Sequence, residues 1–135
     1  MTDFMYSKAK KKFEDGDVDL LVAGIKIALV AATYSPSQAN DEFYDPAIVD
    51  DVQADSANLA NKSTTDGLFD ADPAEFTGVT GDECTMAVAW LDTGTPATSP
   101  VLFKLDAGVA GLPYMPSGAN VVLNWGAYIF ALADA

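Results

Sequence analysis

Ile25-Lys26-Ile27-Ala28-Leu29-Val30-Ala31 decides the fold class. Ile25, Ile27 and Leu29 recur at every second residue, which is the period of a β-strand and places them on one face. The opposite face holds Lys26, Ala28 and Val30, so it too is at least partly covered. Thr85-Met86-Ala87-Val88-Ala89-Trp90-Leu91 repeats the pattern, with Met86, Val88 and Trp90 on one side and Thr85, Ala87 and Ala89 on the other. The small residues predict close packing on both sides. Val101, Phe103 and Leu105 oppose Leu102 and Lys104 in the same way.

Outward from these strands, short apolar segments recur at 54–62, 67–70, 75–79, 120–124 and 127–132. Turn chemistry separates them: Thr65-Asp66-Gly67, Asp72-Pro73, Thr80-Gly81-Asp82, Asp92-Thr93-Gly94 and Pro116-Ser117-Gly118. The last two segments read as a hairpin around Asn124-Trp125-Gly126. Short strands at this spacing predict an all-β, antiparallel β-sandwich or small barrel. Asp17 to Leu21 alternates briefly, and residues 34–51 are loop-like, with Pro36, Pro46 and one helical turn near Glu42-Phe43-Tyr44.

The N-terminus adds a short helix over 3–15. Asp3 is its expected cap, Met5, Ala9 and Phe13 form an apolar stripe at i, i+4, i+8, and Gly16 is its stop. The chain thus divides into an N-terminal helix or arm at 1–16 and one sandwich domain at 17–135. At 135 residues, half of them hydrophobic, it has material for one ordinary core.

Composition excludes several chemistries. There is no His and no Arg, so His-based acid–base catalysis, His-ligated metals and arginine clamps are ruled out. Cys84 is the single cysteine; it follows Asp82 and Glu83, which raise a thiol pKa rather than activate it. Asp15, Asp17 and Asp19 are spaced like the start of a calcium loop, but Leu20 and Lys26 stand where that loop needs Gly and Glu. No carboxylate pair is marked as a glycosidase site, and Gly78-Val79-Thr80-Gly81 lacks the rest of a phosphate loop. An enzyme, a metal site and a cofactor are not expected; the alternative for the acidic turns, Asp15 to Asp19 and Asp70-Ala71-Asp72 near Asp66, is weak calcium binding.

The net charge is −13, unevenly spread. Residues 1–12 carry four lysines against Asp3, a formal +3, and residues 13–135 carry −16. An acidic body repels nucleic acid and anionic membranes, and neither is an expected partner. Lysines late in a helix complement its dipole, and without arginine or interleaved aromatics they make no nucleic-acid site. The first residues lack the basic and apolar regions of an export signal. The apolar run near 20–33, broken by Gly24 and Lys26, is too short to span a bilayer.

One ordered set of motifs goes further. It comprises Ile25 to Val30, Tyr34-Ser35-Pro36, Asp41-Glu42-Phe43, Thr65-Asp66-Gly67-Leu68-Phe69-Asp70-Ala71-Asp72, Phe76-Thr77 and Val79-Thr80-Gly81-Asp82. Asp92-Thr93-Gly94, Ser99-Pro100, Gly111-Leu112-Pro113, Trp125-Gly126 and Ile129-Phe130-Ala131-Leu132 complete it. In this order they resemble a family of small virion structural proteins of tailed bacteriophages, some of them capsid decoration or cement proteins. The resemblance runs from Phe13 to Leu132. It departs at Asp41-Glu42-Phe43, where the family commonly has His before Asp-Phe.

The resemblance implies a virion component, made in the host cytoplasm, that binds neighbouring major capsid protein subunits as a homotrimer. It carries no catalytic residues to transfer. The expected docking arm is the N-terminal helix, with Phe4, Met5 and Phe13 as apolar anchors and Lys8, Lys10, Lys11 and Lys12 facing acidic shell residues. The alternative is that this helix covers one end of its own sandwich. Tyr44, Tyr114 and Trp125 are expected as exposed loop aromatics in a secondary interface. The rival functions are a tail or baseplate component and a carbohydrate-binding adhesion module, the latter requiring aromatics aligned on one exposed face.

Overall fold

A computed structural model describes residues 3–106, 109 and 111–132. In chain order its elements are β1 (Phe4–Met5), α1 (Ser7–Glu14), β2 (Ile25–Ala31), α2 (Tyr44–Ala47), β3 (Val52–Asp55), β4 (Leu68–Phe69) and β5 (Ala74–Phe76). Then follow β6 (Cys84–Leu91), β7 (Val101–Leu105), β8 (Val121–Leu123) and β9 (Phe130–Ala131). The protein is all-β and antiparallel, with a short N-terminal helix, as the alternating pattern predicts. One sheet has five strands in the order β1-β7-β6-β2-β3, and two small sheets pair β4 with β9 and β5 with β8.

The central ladder sets Ile25 opposite Leu91, Ile27 opposite Ala89 and Leu29 opposite Ala87. The alternate residues pair Lys26 with Trp90, Ala28 with Val88 and Val30 with Met86. β7 continues both faces, with Phe103 beside Ala89 and Lys104 beside Val88. The residues paired on the first face from Ile25 to Leu29 are all apolar. Ile27, Leu29, Ala87, Ala89, Phe103 and Leu105 are all buried there. The β4–β9 sheet lies over it: Phe130 stacks on Phe103 at 4.7 Å and Phe69 meets the same ring edge-on at 5.8 Å. The β5–β8 sheet adds Ala74, Phe76, Val121 and Leu123 to the same core.

The second face is closed by residues 34–51. Tyr44 packs on Trp90 at 4.3 Å, and its hydroxyl donates to Asp55 at 2.8 Å. Tyr34 donates to Asp41 at 2.5 Å, and Tyr6 and Tyr34 share a 2.8 Å hydrogen bond. A hydroxyl has one proton, and Tyr34's goes to Asp41, so Tyr6 is the donor to Tyr34. At its edge Lys104, almost fully buried, meets Asp106 at 3.2 Å and lies 4.8 Å from the Phe4 ring.

Four local expectations are corrected. The helix does not start at Asp3: Phe4 and Met5 are extended, paired with Lys104 and Phe103 of β7, and α1 begins at Ser7. The N-cap position is held by Tyr6, not Asp3, whose carboxylate accepts the Asp106 N–H at 2.8 Å. The helix stop is right. Gly16 has φ +76°, its N–H bonds to Phe13 O, and the next N–H, of Asp17, bonds to Lys12 O. That double closure needs a left-handed residue, which glycine adopts without strain.

The expected hairpin at 120–132 does not form, because each arm finds a distant partner: β8 pairs with β5 and β9 with β4. The expected strand at 54–62 is paired only to Asp55. Beyond it, Ser56 Oγ accepts the Ile27 N–H, and the Ser56 and Leu59 N–H groups reach Ile27 O and Ile25 O. Asp17 to Leu21 forms no strand; Asp19 instead accepts the Leu21 N–H in a tight turn.

Candidate binding surface

The expected docking residues all lie in β1 and α1, and the fold divides them. β1 is an edge strand of the main sheet, and Met5, Tyr6 and Ala9 belong to the same core as β2 and β6. Met5 is 3% exposed, so its side chain is spent inside this molecule. Phe4 is half-buried between Tyr6, which it meets edge-on at 5.2 Å, and the Lys104 ammonium. Phe13 is half-buried and open to solvent on one side.

The four lysines do not form one patch. Successive helical residues turn by about 100°, so Lys8 and Lys10 point away from each other on either side of buried Ala9. Lys11 pairs with Asp15 at 2.5 Å, a contact that holds its ammonium pKa above the ordinary value. Lys12 pairs with Glu42 at 2.6 Å and lies 5.0 Å from the Phe43 ring. Among the described residues Lys8 and Lys10 make no ion pair.

The three loop aromatics are not exposed as expected. Tyr44 is buried against Trp90. Tyr114 is half-buried, with its backbone bridged to Cys84 in both directions at 2.8 Å. Trp125 is half-buried and donates its indole N–H to Asp72 O at 3.3 Å. They share no surface as an aromatic platform. Tyrosine and tryptophan can bury an apolar body while the polar tip finds a hydrogen-bond partner, as Tyr44 and Trp125 do.

What opens on the surface is an apolar groove between α1 and the β4–β9 sheet. One hollow of about 250 Å³ is walled by Met5, Phe13, Leu20, Phe69, Phe130 and Leu132, with Thr64 its one polar side chain. A second, of about 360 Å³, shares Met5, Phe13 and Leu132 and adds Lys10 and Glu14 at the rim. Leu132 is 61% exposed on the lip, and Leu68 of β4 is also exposed. Of the expected anchors, only Phe13, Met5 and Lys10 reach this groove. Leu20, Phe69, Phe130 and Leu132 went unrecognised as a surface, although the period-two spacing of Phe130 and Leu132 already sets them on one face.

Several other titratable groups take partners within the fold. Burial pushes the Tyr6, Tyr34 and Tyr44 hydroxyls well above their ordinary pKa. Desolvation also raises Asp55, outweighing the hydrogen bond from Tyr44 and the charge of Lys26. Asp92 is held low by Lys26, 2.7 Å away, and by the Gly94 N–H. Cys84 is buried and pushed up to about 11, by burial first and then by Asp82 and Glu83. Asp15 is taken by Lys11, Asp19 by its own turn, and Asp72 by the Asn61 amide. Among the described residues no three His, Cys, Asp or Glu side chains are grouped to hold a metal ion, and no helix is long and apolar enough to cross a membrane. No protein-family model and no curated protein matches the chain.

Proposed function

We propose that the chain is a structural component of a tailed-bacteriophage virion, a head decoration protein that cements neighbouring major capsid protein subunits. The family reading rests on the ordered motifs from Phe13 to Leu132. The structural observation that carries the docking part is the groove between α1 and β4–β9, with Leu132 standing 61% exposed on its lip. An apolar hollow walled by a folded core and rimmed by polar residues is the form of surface that accepts an anchor side chain from a partner. A protein that binds only the assembled shell stabilises it by mass action, and a homotrimer engaging three sites at once multiplies that effect. The net charge of −13 keeps a decorated particle from clumping.

Copy number in purified particles, measured by quantitative mass spectrometry against the major capsid protein, tests this reading. Hundreds of copies per particle support decoration. A few to dozens move the protein to the tail or baseplate, and absence from particles overturns the reading. Leu132→Asp then tests the groove. The side chain is exposed, so stability changes by no more than about 0.5 kcal/mol, while retention on shells falls at least tenfold. Unchanged retention removes the groove from the contact.

A further inference from the structure

We draw no further inference here: the strongest candidate, the apolar groove between α1 and the β4–β9 sheet, belongs to the surface already described, and a rim that carries both Lys10 and Glu14 selects no further occupant by charge.

Discussion

The two faces of the five-stranded sheet are built from the same strands and closed by different physics. Toward β4–β9, buried aliphatic side chains pack with the rings of Phe69, Phe103 and Phe130. Toward residues 34–51, the cover is held by directed bonds: Tyr6 to Tyr34 to Asp41, Tyr44 to Asp55, and Lys12 to Glu42. Burial on the first face is non-directional and scales with area. Hydrogen bonds on the second add little net energy each, but leaving one buried partner unmatched is costly. Both faces bury apolar residues, Ala28, Val30, Met86 and Val88 among them on the second, where the directed bonds also fix where a long irregular segment lies.

Substitutions on the two faces test that division. Phe103→Ala removes the ring that both Phe69 and Phe130 touch and should cost about 3–5 kcal/mol. In urea denaturation the midpoint should fall with an unchanged slope. A loss below 1 kcal/mol would show that the β4–β9 sheet is not part of the cooperative core. Tyr34→Phe leaves the buried Tyr6 hydroxyl without its acceptor and should cost about 1–3 kcal/mol. A double-mutant cycle with Tyr6→Phe should recover part of that loss, because the orphaned hydroxyl goes too. Tyr44→Phe loses one bond to a carboxylate that retains water and should cost about 0.5–1.5 kcal/mol.

The smallest effect concerns charge, and its sign distinguishes two carboxylates. Asp55 has its folded pKa raised above the ordinary value of 3.8, so its contribution to stability is present below that value. It is lost as pH rises through the folded pKa. Asp55→Asn, which can still accept from Tyr44, should therefore gain on the parent as pH rises from about 4 to 7. Asp92 is shifted the other way, so its contribution is present above the ordinary value and is lost as pH falls through the folded pKa. Asp92→Asn should accordingly cost more at pH 7 than at pH 3. Equal pH profiles for the two variants would remove desolvation as the cause at Asp55.

The same contrast explains what could be read from the sequence. The strands β2, β6 and β7 were legible because period-two alternation survives in a sheet covered on both sides. Gly16 was legible because a helix stop is a local conformational need. The hairpin at 120–132 was misread because Asn124-Trp125-Gly126 supplies turn chemistry, whereas Val121, Leu123 and Phe130 are claimed by partners dozens of residues away. Tyr44 read as exposed because Asp41, Glu42 and Asp45 surround it, yet its ring goes to Trp90. The groove was hidden for a related reason. Its walls come from β1, α1, the turn at Leu20, β4 and β9, and nothing in any one of those segments announces the others.

The pairing of β1 with β7 has a consequence for synthesis. Met5 and its partner Phe103 stand 98 positions apart in the chain. At about 5–20 residues per second, Phe4, Met5 and Tyr6 wait about 5–20 s for the strand that shelters them. β2 waits similarly for β6, whose paired residues stand 53 to 66 positions away. A sheet ordered β1-β7-β6-β2-β3 joins strands far apart in the sequence, and high contact order of this kind slows folding. Until β7 is made, Phe4, Met5 and Tyr6 are an apolar segment without the strand that later covers them.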